Sequence, residues 1–203
     1  MFSKFLNLKP EKQEKILEAA ISEFADKGFE KASTNEIVKE AGISKGILFH
    51  YFHNKKNLFL YTFDYSADLC SNEILKKVDF EERDFFAKLR QISSFKLELA
   101  LRYPKIFKFF EVVYVEECTE VKSELLERKK KISESNYAKV FNNIDVSKFR
   151  DGVDAGRAIN ILMWTIEGFG TSELQKAKLK QIDYDKTLKE MDIYLDMLKN
   201  MFY

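Results

Sequence analysis

Residues 34 to 55 combine the side chains best suited to chemistry in this chain, in the order T-N-E-I-V-K-E-A-G-I-S-K-G-I-L-F-H-Y-F-H-N-K. Ser44 is predicted to cap a short helix that opens with Lys45 and Gly46. The first turn of a helix presents unpaired N–H groups and a partial positive charge, which favour phosphate. Lys45 adds a cation, Gly46 allows close approach of the backbone, and His50 shares the outward face of Gly46 and Ile47. This set suits contact with the backbone and base edges of nucleic acid.

Two short helices joined by a tight turn would position these side chains. The first has Ser33–Glu36 as a capping box, with Thr34 as the competing cap, and Gly42 breaks it. Its inner face carries Ile37, Val38 and Ala41, and that of the second carries Ile47, Leu48, Tyr51 and Phe52. Such a pair can present its second helix to the DNA major groove, although capped helical hairpins also occur in unrelated helical proteins.

The charge balance favours nucleic acid locally and not globally. The formal net charge is only +1, but residues 31–56 hold five lysines against two glutamates. The only two histidines, His50 and His53, lie in the same window. Phosphate contacts require a local basic patch and not a basic protein, so this segment qualifies.

The composition predicts an all-α chain of about nine helices. The 203 residues are 45% hydrophobic, contain only 2 Pro and 7 Gly, and show no strand pattern. Pro10 suits the first turn of a helix that ends near Gly28, and Asn54 is the expected cap of the fourth helix. The later helices are expected at 55–77, 82–102, 104–115, 119–142, 152–168 and 185–202. The helix at 104–115 is apolar nearly all round, so it should be the most buried.

Residues 11 to about 60 resemble the N-terminal domain of the TetR (tetracycline-repressor) family of bacterial transcription regulators. The match includes I-L-E-A-A-I-S-E-F-A-D-K-G-F-E-K-A-S-T-N-E-I-V-K-E-A-G-I-S-K-G-I-L-F-H-Y-F-H-N-K-K-N-L. The resemblance implies an N-terminal three-helix helix-turn-helix domain, 1–54, and a C-terminal helical ligand-binding and dimerisation domain, 55–203. It also implies a homodimer that binds a near-palindromic double-stranded DNA operator and represses transcription. A small apolar or aromatic effector would release the homodimer from this operator.

The resemblance assigns roles to individual positions. It implies that Thr34 and Lys55 contact phosphates and that Tyr51 lies near the backbone. Ser44 would cap the helix at the DNA-binding face. The residues that would face bases are Lys45, Gly46, Ile47 and His50. Phe49 departs from the family, which commonly has Tyr there, and so one phosphate contact is not expected.

The last helix carries a two-helix seam. Leu188, Met191, Leu195, Leu198 and Phe202 follow the spacing 3, 4, 3, 4, and Tyr194 and Met201 widen it. The seam could pack on the core of its own domain. The resemblance favours a dimer interface that these residues build with the helix at 152–168.

Large side chains of the C-terminal domain could surround an effector. Those on helices that line the pocket in the family are Phe86, Phe107, Phe110, Tyr114, Tyr137, Met163 and Trp164. Aromatic residues at helical spacing are also ordinary core, so either role fits each of them. Residues 128–131, R-K-K-K, are expected to be a solvated helix face.

Other functions find little support in the sequence. Both histidines lie in the basic segment, leaving none elsewhere for a catalytic pair, and no metal set, phosphate loop or dinucleotide motif is present. We therefore expect no enzyme activity, cofactor or metal. Cys70 and Cys118 are expected to be buried thiols, and the absence of a signal peptide or long apolar run predicts a cytoplasmic location without membrane contact. The alternatives are a co-regulator of the same fold that binds no DNA, and a helical ligand-binding protein or enzyme.

Overall fold

Helices form nearly all of the regular structure. The computed structural model describes residues 2–177 and 183–203, and within them it has ten α-helices, one 3₁₀ helix and no strand. The predicted all-α fold is confirmed. The helices are α1 (Ser3–Leu6), α2 (Pro10–Lys31), α3 (Thr34–Ala41), α4 (Lys45–Phe52), α5 (Lys55–Leu75), α6 (Phe85–Arg102), α7 (Pro104–Tyr114), α8 (Thr119–Val140), the 3₁₀ turn Val146–Lys148, α9 (Ala155–Ala177) and α10 (Tyr184–Phe202).

Local signals set most of the helix ends. Pro10 and Pro104 occupy the first turns of α2 and α7, as predicted. Asn54 Oδ1 accepts a hydrogen bond from the Asn57 N–H at 2.8 Å and so caps α5. Gly42 ends α3 in the left-handed conformation, with φ 67°, where a side chain would be strained.

A cap, a helix end and one short helix differ from the predictions. Ser33 stands at the cap position of α3 but makes no side-chain cap bond; its N–H donates to Glu23 Oε1 at 2.8 Å. α9 runs to Ala177, past Gly168, because a helical glycine costs only about 1 kcal/mol and the packing of the helix outweighs it. The short helix α1 was not predicted, although its Phe5 is fully buried.

The chain divides into two compact units. The first comprises residues 1–69 and 103–132, and the second comprises residues 70–102 and 133–203. α5 and α8 each contribute to both. The first four helices therefore share a packing unit with α7, and the functional division after residue 54 stays a prediction.

An aromatic cluster forms the core of the first unit. Phe24, Phe29, Phe59 and Phe109 are all buried, with ring centroids of Phe24 and Phe59 4.8 Å apart and those of Phe59 and Phe109 5.5 Å apart. Burial of each ring contributes about 1.5–3 kcal/mol. α7 buries only one face, and Tyr114 at its end is 51% exposed. The prediction that this helix is the most buried is therefore wrong.

The core of the second unit contains a buried lysine. Phe85, Phe86 and Leu162 belong to this core, and Lys88 in the same helix as the two phenylalanines has no exposed surface. Its Nζ donates to the carbonyl of Val140 at 2.7 Å and to an amide oxygen at 2.5 Å. Burial lowers the pKa of this ammonium, and the two bonds compensate for its lost hydration. Across the described part of the chain, the structure contains no helix with the length and apolarity required to cross a membrane.

Candidate nucleic-acid interface

The N-terminal face of α4 is exposed as the sequence predicted. Ser44 Oγ accepts a hydrogen bond from the Ile47 N–H at 3.3 Å and so satisfies one free donor of the first turn. Lys45, Gly46 and His50 are exposed, and Ile47 is 39% exposed despite its apolar side chain. The four residues predicted to face bases are therefore all exposed to solvent on one helix.

The opposite face of α4 is anchored in the aromatic interior. Leu48 and Phe52 are fully buried, and the Phe52 ring lies 4.8 Å from that of Phe5 in α1. Tyr51 is half-buried with its ring 6.0 Å from Phe5. α1 thus supports α4 from behind, a role that was not predicted from the sequence.

Lys55 has a partner other than the predicted phosphate. Its Nζ donates to the carbonyls of Glu30 at 3.1 Å and Ala32 at 3.3 Å, and lies 4.7 Å from the centre of the Phe29 ring. The ammonium is held at the C-terminal end of α2, where the helix dipole favours a cation. Lys55 thus holds the end of α2 in this structure, and the phosphate contact implied for it stays a prediction. Thr34 is half-buried at the start of α3, and its predicted phosphate contact stays a prediction.

A rare turn joins α4 to α5. His53 has φ 66° and ψ −46°, and the Asn54 N–H donates to the Phe52 carbonyl at 2.8 Å. These values describe a γ-turn of the strained type, centred on a residue with a side chain. The turn directs the chain sharply from the end of α4 into the Asn54 cap.

The predicted effector residues in the first unit lie along α7. The rings of Phe107 and Phe110 are 5.8 Å apart, and both are half-buried. The ring of Tyr114 is mostly exposed, and Lys129 Nζ lies 4.8 Å from its centre. Lys129 also donates to the Val113 carbonyl, so this part of the R-K-K-K run is structural and the prediction of a fully solvated face is wrong there.

The predicted effector residues in the second unit have unlike surroundings. Phe86 is fully buried, with its ring edge-on to Tyr203 at 4.9 Å, so it is core and does not line a site. Tyr137 stacks on Phe141 at 5.2 Å, and Met163 packs on the core. Trp164 is 67% exposed in this structure, and its role as an effector contact stays a prediction.

The predicted dimer seam packs mainly inward. Leu195 is 1% exposed, and Met191, Leu198 and Phe202 pack against the same core; Leu188 is half-buried. Leu195 thus packs in the core of its own unit, and the dimer interface predicted for the seam stays a prediction. Among the seam residues and those that widened it, Tyr194 and Met201 are exposed.

A second apolar face of the same helices is exposed. Its members, which we call the α9–α10 apolar surface, are Ile161 and Trp164 on α9 and Ile193, Tyr194, Met197 and Met201 on α10. The ring of Tyr194 lies 5.4 Å from Phe169 of α9, which places the two helices side by side there. Exposed apolar groups clustered in this way mark an interaction surface.

The short α3, the left-handed Gly42 turn and the exposed α4 define a helix-turn-helix protein. The family model described as "Bacterial regulatory proteins, tetR family" matches residues 16–62, which contain this motif. Residues 16–62 therefore match the helix-turn-helix domain of the tetR family of bacterial regulatory proteins. This match agrees with the prediction of a regulator and not an enzyme.

Individual relatives share the same segment. YuxN of Bacillus subtilis, an uncharacterized HTH-type transcriptional regulator, is 42% identical over 65 residues, 32% of this chain and 22% of YuxN. The HTH-type transcriptional repressor AcnR of Corynebacterium diphtheriae is 41% identical over 49 residues, 24% of this chain and 26% of AcnR. The matches thus span about a quarter of the length of these curated relatives.

Solved structures support the fold over most of the chain. The transcriptional regulator FadR of Bacillus subtilis, solved in complex with stearoyl-CoA, aligns with a TM-score of 0.63 over 91% of this chain and 96% of FadR. The sequence identity is 18%, so the likeness concerns the fold alone.

Proposed function

We propose that this protein is a DNA-binding transcriptional repressor that acts in the cytoplasm as a homodimer. The observation behind this proposal is the exposed N-terminal face of α4, where a capped helix end, Lys45, Gly46 and His50 point to solvent together. The free N–H groups of such a helix end can bind DNA phosphates, and its side chains can contact base edges. The repressor AcnR, similar over this segment, supports repression as the direction of control.

The α9–α10 apolar surface supports the homodimer. A two-fold axis at this surface would bring α9 and α10 of two copies together as a four-helix bundle, in which the same residues meet on both sides. The two copies of α4 would then enter successive major grooves about 34–36 Å apart or somewhat more, so the operator would be a near-palindrome.

An apolar or aromatic small molecule is the effector class that we propose. Phe107, Phe110 and Tyr137 are half-buried aromatic residues that offer suitable surface. The stearoyl-CoA bound to the Bacillus subtilis neighbour makes a long-chain acyl compound a specific candidate. The effector would lower DNA affinity by binding better to one of two conformers, which typically changes affinity about 5–150-fold.

Selection of bound sequences from random duplex DNA, using the full-length protein, tests the proposal. We expect a two-fold symmetric consensus, and we expect addition of stearoyl-CoA to reduce binding to it. Stearate and free coenzyme A serve as separate probes of the chain and the head group. A protein that enriches no sequence would contradict the DNA-binding function and favour the co-regulator alternative. A consensus that none of these compounds affects would contradict only the acyl effector.

A further inference from the structure

The last turn of α2 and its link to α3, residues 28–33, are called the α2–α3 connection here, and this connection begins at a break in the helix. Gly28 has φ 69° and ψ −178°, an extended left-handed conformation that essentially only glycine adopts. The regular hydrogen bonding of α2 is interrupted there. The direction in which the chain leaves Gly28 towards α3 must therefore be set by contacts from elsewhere.

Glu116, just after α7, supplies one such contact. Its Oε2 accepts a hydrogen bond from the Phe29 N–H at 3.0 Å, across 87 positions of the sequence. Its Oε1 accepts from the Cys118 N–H, also at 3.0 Å. Glu116 is half-buried, and a carboxylate that accepts backbone N–H bonds forms hydrogen bonds stronger than neutral ones.

Two further charged side chains hold the rest of the connection. Lys55 donates to the carbonyls of Glu30 and Ala32, as described above. Glu23 accepts from the N–H at the first residue before α3, at 2.8 Å. Glu116, Lys55 and Glu23 thus hold four backbone groups between Gly28 and α3, and Glu116 is the one that comes from beyond α7.

The end of α7 is in turn tied to α8. Lys129 Nζ donates to the Val113 carbonyl at 2.9 Å. Burial lowers the pKa of this ammonium, while Glu117 and Glu116 oppose the effect. A continuous set of bonds therefore runs from α8 through the end of α7 to Phe29.

The packing of α2 on α7 does not depend on Glu116. Buried rings of Phe24 and Phe109 stack at 6.2 Å between the two helices, and Lys108 pairs with Asp26 at 2.5 Å on the surface. Removal of the carboxylate should therefore leave the unit folded while releasing the connection.

We propose that Glu116 is a positioning residue for DNA recognition: its carboxylate fixes the direction of the α2–α3 connection and hence the orientation of α3 and α4 relative to α7. The proposal rests on the proposed function. Through the bond from Glu116 to Phe29, a change at α7 or α8 would reach α4. In a dimer, a less fixed α4 would tolerate half-sites at the wrong separation.

The decisive variant is Glu116→Gln, with Glu117→Gln as its matched control. Both remove one negative charge from neighbouring positions, but Glu117 is exposed and pairs with Lys122. Glutamine can offer an oxygen to only one of the two N–H groups and turns its own donors towards the other.

The first measurement is hydrogen exchange at the Phe29 amide in the full chain. We expect exchange about tenfold or more faster in Glu116→Gln than in wild type, and unchanged exchange in Glu117→Gln. The second is affinity for the selected operator and for versions with the centre lengthened or shortened by one base pair. We expect Glu116→Gln to lose about fivefold or more of the wild-type discrimination between these spacings.

Equal loss of affinity on all three spacings, together with a lower melting temperature, would show a merely structural role and overturn the proposal. Wild-type exchange at Phe29 in both Glu116→Gln and Glu116→Ala, which leaves no side-chain oxygen, would overturn it as well. If Glu116→Gln does not fold, Glu116→Asp, which withdraws the carboxylate by one methylene, takes its place with the same expectations. If wild type selects no DNA, the proposed function fails, and the exchange measurement alone decides whether Glu116 holds the connection.

Discussion

Trp164→Ala should dissociate the proposed dimer. A tryptophan side chain can bury up to about 250 Å². Since Trp164 is 67% exposed, roughly 170 Å² remains to be covered, which at about 25 cal/mol per Å² is worth ~4 kcal/mol. A two-fold interface contains the residue twice, so the upper bound is ~8 kcal/mol. Burial in the dimer is incomplete and alanine still covers some surface, so we expect the free energy of dimerisation to weaken by about 3–6 kcal/mol. This change raises the dimer dissociation constant roughly 10²–10⁴-fold.

Sedimentation equilibrium over a range of concentrations measures this constant, and circular dichroism verifies that the variant is folded. Leu101→Ala is the matched control, because Leu101 is 74% exposed on α6 and lies outside the α9–α10 apolar surface. We expect the control to dimerise like wild type. A wild-type chain that is monomeric at micromolar concentration, or a Trp164→Ala variant that dimerises normally, would refute the assignment of this surface.

Four further substitutions separate roles within the proposed DNA-binding region. Lys45→Ala should reduce the slope of log affinity against log salt by about 1, whereas His50→Ala should change the preferred base; equal loss on specific and random DNA would contradict base recognition by His50. Lys55→Met should lower the free energy of unfolding by about 1–3 kcal/mol in denaturant titrations, because the Lys55 ammonium bonds to two carbonyls. The slope of log affinity against log salt should stay unchanged, and a slope reduced by about 1 would instead show that Lys55 contacts phosphate. His53→Gly should raise the free energy of unfolding by ~1 kcal/mol, because glycine relieves the strained turn, and a decrease instead would argue against strain there.

Features governed by neighbouring residues were predictable from the sequence. The Ser44 cap depends on a hydroxyl meeting an N–H three residues later, and the break at Gly28 depends on backbone freedom at one position. The exposed face of α4 follows from helical periodicity, since Leu48 and Phe52 must turn inward together.

Features governed by distant residues were not predictable in the same way. The ammonium of Lys55 ends a long flexible side chain, so its partner depends on where α2 ends in space. The spacing of Met191, Leu195 and Leu198 would be the same for packing against the chain's own core or against a partner. Glu116 was missed because nothing local distinguishes a carboxylate that bonds to Phe29 from one in solvent.

The two apolar faces of α10 have a consequence for the evolution of related regulators. Leu195 faces the chain's own core, whereas Met197 and Ile193 face outward. In the proposed dimer, different residues serve folding and association, so outward substitutions can change which copies pair without loss of stability. A cell with several such regulators must prevent mixed dimers, which would combine half-sites of unrelated operators. The outer face of α10 is where natural selection can separate duplicated genes into independent circuits.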